Sequence, residues 1–262
     1  MANPNDPHQV PQPDDDFAMS NPYASPVAVP VGSHDQRAGY VTRTDEVLNP
    51  WISMWTRPRE TVRQQLDTDP WRHVLLLATL AGMSGNLGNQ SIAYSAELPG
   101  RLFTMGSLAL AGAVFGLAWI FIMGWLVGLT GRMIGGVGYA LDCRCALAWS
   151  SVPGIWLTPL YLSIGLYYLV AGPYAFVGGT PRPGQSVFEI FPVLILVVMA
   201  VSVIVVIWQL VITCQAVGES HRFSSLRGFG ALLLTLLLIM GVFIALMIVM
   251  MVIGAIVSMA LR

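Results

Sequence analysis

Residues 102–129 read LFTMGSLALAGAVFGLAWIFIMGWLVGL, with no charged side chain anywhere in the run. About twenty apolar residues, rising about 1.5 Å each, cross the hydrocarbon core of a bilayer. A segment in lipid must satisfy its own backbone groups, which an α-helix does internally. This stretch therefore reads as a transmembrane α-helix, and its recurrence along the chain as an all-α, polytopic membrane protein. Four further stretches read the same way, at about 71–92, 154–170, 191–217 and 229–257, giving an expected bundle of five transmembrane helices. The first is the shortest on apolar residues, because Asn86, Asn89 and Gln90 follow Met83. Whole-chain composition agrees. Of 262 residues, 55% are hydrophobic and 10% charged, where a soluble domain carries about a quarter charged residues.

Residues 1–48 differ in kind. They are rich in proline and polar residues, carry the acidic run Asp14-Asp15-Asp16, and lack periodic apolar positions. Such a segment cannot offset the entropy of ordering and reads as a disordered tail. It has no basic stretch followed by an apolar one, so it does not read as a signal peptide. Order is expected to begin at Asn49-Pro50-Trp51, since Asn caps helices well and Pro suits a first turn. Residues 49–70 form an amphipathic elbow. Trp51, Met54, Trp55, Val62 and Leu66 oppose Arg57, Arg59, Glu60 and Arg63, and Pro58 forces a restart. That composition suits the membrane–water interface; packing on the end of the bundle is the alternative.

Small residues punctuate the second span. Gly112 and Gly116, then Gly124 and Gly128, recur four apart and so share a helix face that permits close backbone approach. The face could pair with another helix of the same chain or with a second copy, making a homo-oligomer. Asn86, Asn89, Gln209 and Thr213 are the candidate intramembrane polar contacts, either bonding between helices or lining a path.

The basic residues fix an expected orientation. With an odd number of spans and the N-terminus in the cytoplasm, that side holds Arg37, Arg43, Arg57, Arg59, Arg63, Arg72, Arg132, Arg144, Arg222 and Arg227. The other side holds Arg101, Arg182 and Arg262. The positive-inside bias favours this arrangement, with the C-terminus outside.

Signals for catalysis are missing. Asp142, Glu189 and Glu219 fall near span ends rather than mid-membrane, where an acid would mark an ion pathway. His73 and His221 read as interfacial histidines without ligand-spaced companions. Cys143, Cys145 and Cys214 form neither a disulfide framework nor a metal set. No nucleophile elbow or phosphate-binding glycine loop is present. No catalytic residue, cofactor or metal is expected. A net charge of −1 gives no general attraction to nucleic acid.

Three polar patterns remain: Trp55-Thr56-Arg57-Pro58-Arg59-Glu60-Thr61 ahead of Asp69-Pro70; Ala146-Leu147-Ala148-Trp149-Ser150-Ser151-Val152-Pro153; and Gly218-Glu219-Ser220-His221-Arg222-Phe223-Ser224, closing on Leu226-Arg227. In this order among five apolar runs, they resemble the Yip family of Ypt/Rab-interacting membrane proteins, in particular its bacterial branch. The resemblance covers about residues 49–262. It implies a five-span bundle with a cytoplasmic N-terminus, and eukaryotic relatives associated with Rab-type GTPases and traffic between endoplasmic reticulum and Golgi. The expected function is a non-enzymatic scaffold or adaptor in the bacterial cytoplasmic membrane. Arg57, Arg59, Arg63, Arg132, Arg222 and Arg227 would present one surface to a protein partner or to anionic lipid. A small-solute or lipid transporter or channel is the alternative. Convergence of the amides on one cavity would favour transport, and their dispersal the scaffold.

Overall fold

A computed structural model describes residues 47–172 and 186–260, and every regular element among them is helical. The tail through residue 46, the loop carrying Arg182, and Arg262 lie outside the described residues. In chain order the elements are α1 (Pro50–Ser53), α2 (Pro58–Thr68), α3 (Val74–Leu87), a 3₁₀ turn (Gln90–Tyr94), α4 (Leu98–Met133), α5 (Ala140–Ser150), α6 (Val152–Ile155), α7 (Thr158–Ala171), α8 (Ser186–Ser220) and α9 (Ser225–Ala260).

Local chemistry sets the breaks. The Asn49 side chain accepts from the Trp51 amide and Pro50 opens α1. Pro58 opens α2. The Asp69 carboxylate takes the Trp71 amide at 3.0 Å, starting the turn into α3. The most consequential break lies between α6 and α7, which bend by 56°. Pro159 has no amide hydrogen to give the Ile155 carbonyl, and its ring crowds that carbonyl. The Thr158 hydroxyl donates to Ile155 O instead.

Among the described residues three helices are long and apolar enough to cross a membrane: Leu98–Met133, Ile195–Ser220 and Ser225–Met259. The bent pair Ala140–Ile155 and Thr158–Ala171 makes a fourth if it is one broken span. The expected limits shift accordingly. The helices that carry the second, fourth and fifth spans, Leu98–Met133, Ser186–Ser220 and Ser225–Ala260, run longer at both ends than 102–129, 191–217 and 229–257. The third is not one helix over 154–170, because Pro159 divides it. The first reduces to the 14 residues of α3, about 21 Å of helix against about 30 Å of hydrocarbon. Asn86 lies in the last turn of α3, whereas Asn89 and Gln90 fall beyond the helix: Asn89 caps the 3₁₀ turn by accepting from Ser91 N at 2.9 Å.

The long helices overshoot a bilayer, since 35 or 36 residues make about 50 Å. Tryptophans mark where the excess begins. Exposed Trp119 and Trp208 belong to α4 and α8, and exposed Trp71 packs on Phe121 with centroids 6.1 Å apart. Trp119 and Gln209, the neighbour of Trp208, border the same cavity. From Trp119 back to Leu98, and from Trp208 back to Ser186, each helix covers about 30 Å. That matches one hydrocarbon thickness, with tryptophans at the interface as usual.

Beyond this belt the helix ends form a packed cap with α1, α2 and α5. Met54, Val62, Val74, Leu77, Trp149 and Ile212 bury one another there. Met54 and Val62 of the elbow are thus buried in the cap, with Trp51 and Leu66 packed against it. A second cluster at the opposite end joins Ile92, Ile164, Tyr168 and Val198. By contrast α9 is exposed at every described position from Gly241 to Met259, as a lipid-facing helix can be.

α3 and α4 meet through small residues. A Cβ on Gly116 would collide with the Ala78 carbonyl, and one on Gly112 with the Gly82 carbonyl. A side chain at either position must push backbone apart. Replacing Gly116 with Leu is expected to cost at least about 2 kcal/mol, by analogy with overpacked cores, read as a lower unfolding midpoint in detergent. Gly106, on the same helix with no atom within 4 Å of where a Cβ would stand, should accept Leu without loss. Equal midpoints for the two variants would refute the close crossing.

Candidate functional site

The hinge between α8 and α9 organises the cap. Phe223 N donates to Gly218 O at 2.9 Å and Arg222 N to Glu219 O at 3.1 Å, while Arg222 takes the left-handed conformation at φ 57°. This is a Schellman-type helix end with arginine where glycine is usual. It turns Phe223 inward, 4% exposed, and sends Arg222 outward.

Glu219 is fully buried. Its Oε1 accepts from Arg63 Nε at 3.0 Å and its Oε2 from Arg59 Nε at 3.1 Å, and Arg59 Nη2 donates to Phe223 O at 2.9 Å. Arg59 and Arg63 are one turn apart on α2, so both guanidinium groups reach one carboxylate. Charge-assisted bonds of this kind hold the elbow onto the hinge. Glu219 is therefore closed to water although it stands near a helix end.

His221 is likewise buried, 1% exposed, not interfacial. Its ring lies against Gly131, Gly136 and Gly138, where side chains would collide with it. It stacks on Phe223 with centroids 5.2 Å apart and planes at 5°. Gly138 N donates to Nδ1 at 3.1 Å, so Nδ1 must be unprotonated and Nε2 carries the hydrogen. Nε2 sits 3.2 Å from Val127 O and 3.3 Å from Cys143 Sγ. With one nitrogen occupied as acceptor and the other as donor, the ring is not placed to take the thiol's proton. Burial holds His221 below its ordinary value of 6.5, against the opposing pull of the Val127 carbonyl. Beside it lies a polar cavity of about 550 Å³, bordered by Arg63, Asp67, Tyr139, Asp142, His221 and Arg222. Among the described residues no three His, Cys, Asp or Glu side chains cluster to hold a metal.

The six arginines divide. Arg59 and Arg63 turn into the cap. Arg57 is exposed, 3.9 Å from Glu60. Arg132 is exposed and donates to Gly128 O of its own helix at 3.1 Å. Arg222 and Arg227 are exposed. Gly124 faces Arg144 and Gly128 faces Ala140, both on α5. Asn86 donates to Gly82 O at 3.1 Å and Asn89 caps the 3₁₀ turn, while Gln209 and Thr213 border a separate cavity of about 720 Å³. The amides and hydroxyls are thus dispersed. Sequence reasoning missed the Glu219 pairing and the buried His221. The available signals were arginines four apart on α2 and the glycines surrounding residue 135.

Fold and cap define a helical, multi-pass membrane protein. The sequence profile of the Yip1 domain matches residues 52–247, and the chain belongs to that family. No curated protein and no solved structure matches it.

The neutral His221 carries a pH dependence. Its folded-state value lies below 6.5, so its contribution to stability is complete above that pH and is lost as pH falls towards the folded-state value. The unfolding midpoint in detergent should drop between pH 7.5 and 5, and His221→Gln should flatten that slope. An unchanged slope in the variant would exclude His221 as its source.

Proposed function

We propose that the protein is a non-enzymatic scaffold or adaptor of the bacterial cytoplasmic membrane, belonging to the bacterial branch of its family. Its Arg-rich cytoplasmic face engages an acidic protein surface or anionic lipid. The observation that carries this reading is the division of labour among the arginines. Arg59 and Arg63 lock the cap, while Arg57, Arg132, Arg222 and Arg227 stand exposed at the same end of the bundle. Each basic group near an anionic leaflet contributes about 1 kcal/mol, falling off within a Debye length. Dispersal of Asn86 and Asn89 away from Gln209 and Thr213 supports a scaffold over a solute path. The engagement of both His221 nitrogens supports a non-enzyme.

In this reading α3 with its 3₁₀ turn counts as a short first span and α5–α7 as one broken span. That gives five crossings, with the N-terminus inside and the C-terminus outside. A reporter fused after Arg262 should read as external; an internal signal would remove one crossing, with α3 the first candidate.

Replacing Arg57, Arg132 and Arg227 together with Gln tests the exposed face and leaves the Glu219 pairing intact. The variant should keep its unfolding midpoint and lose its crosslinked neighbours in native membrane, or its stabilisation by phosphatidylglycerol over phosphatidylcholine. Retention of both would mean that these arginines only orient the chain.

A further inference from the structure

We propose that the 720 Å³ cavity is a binding site for an uncharged lipid, with one small oxygen-bearing head and an acyl chain. This site is separate from the arginine face and does not depend on the scaffold reading. The cavity opens between α3, α4, α5, α8 and α9, with walls that include Ala78, Gly82, Gly116, Ile120, Leu210 and Leu233. Its size and its apolar walls with a few polar groups fall in the range of small-molecule sites, about 300–1,000 Å³.

The polar edge indicates the head. Gln209 lies in α8 next to belt residue Trp208, and among the described residues its side-chain amide has no hydrogen-bond partner. Gly154 lies against it, where an added Cβ would come within 2.8 Å of the amide oxygen. Gln209 is half-buried and borders the cavity, so its amide is open to a ligand there. Around it, the hydroxyls of Thr213, Ser150 and Ser151 donate to Gln209 O, Leu147 O and Ala148 O. Their donors are spent, and each keeps acceptor capacity. The edge thus offers amide donors beside hydroxyl acceptors, which a ligand hydroxyl satisfies in both directions. Among the described residues no charged side chain borders the cavity, so a phosphate would lose its hydration without a cationic partner. Trp119 borders the cavity at belt height, placing the head at the interface and the chain towards Phe115 and the hydrocarbon. Diacylglycerol has this chemistry.

The full chain, reconstituted in phosphatidylcholine vesicles with a diazirine-bearing diacylglycerol, tests the site by irradiation and peptide mapping. Adducts should concentrate on residues 115–123 and 207–213, and unlabelled diacylglycerol should compete where phosphatidylglycerol does not. Gln209→Leu should lower adduct yield about tenfold, the loss of about one well-made buried hydrogen bond. Ala81→Trp, which fills the cavity, should lower it as well. Adducts spread along exposed α9, equal competition by phosphatidylglycerol, or unchanged yield in both variants would each overturn the proposal. The wild-type adduct map tests the site even if a variant misfolds.

Discussion

Glu219 is a carboxylate with no solvent contact, and the cap is arranged around neutralising it. Stripping water from such a group costs several kcal/mol, repaid only when cationic donors are fixed in good geometry. Arg59 and Arg63 supply one guanidinium nitrogen to each oxygen from a single face of α2. The pairing joins positions 156 and 160 residues apart. It thereby ties the segment before the first apolar helix to the turn between the last two. Once α2 is held there, Met54 and Val62 come against Val74 and Trp149, and the cap has an interior. The hinge carries the second constraint, because a neutral His221 must find room among three glycines and match one donor and one acceptor of the backbone.

These constraints separate two kinds of material. Below the tryptophan belt, α4 and α8 need only be apolar and small-faced where they cross neighbours, and the far part of α9 is exposed at every described position from Gly241 to Met259. Above the belt, the same helices leave the hydrocarbon and acquire buried polar contacts that specify one arrangement. The family's polar sequence patterns fall largely in this cap. What distinguishes the protein from a generic bundle is therefore the fixed shape of its cap and the arginines left exposed on it.

Much of the fold was legible because its signals are local. Unbroken apolar runs define α4, α8 and α9; Asn49, Pro50 and Pro58 define the elbow; and glycines four apart mark the faces that α3 and α5 occupy. The errors arose where a distant partner decides. Arg63 looks like the polar side of an amphipathic helix until Glu219 meets it from 156 residues away. Glu219 and His221 look solvent-accessible because they end a span, yet the elbow and the glycine-rich connection cover them. The third span looked continuous because Pro159 sits inside an apolar run, where hydropathy outweighs the missing donor. Gln209 and Thr213 were legible as polar positions but not as the edge of a cavity, since its walls come from five helices.

The Glu219 pairing joins elbow to hinge, and a double-mutant cycle on Arg63 and Glu219 measures that coupling. Unfolding free energies would be compared for the wild type, Arg63→Gln, Glu219→Gln and the double variant in one detergent. Contacting charges couple, so the double variant should be more stable than the sum of the single losses by at least about 1.5 kcal/mol. Losses that add within about 0.5 kcal/mol would mean that the two side chains do not hold each other, and the account of the cap would fail.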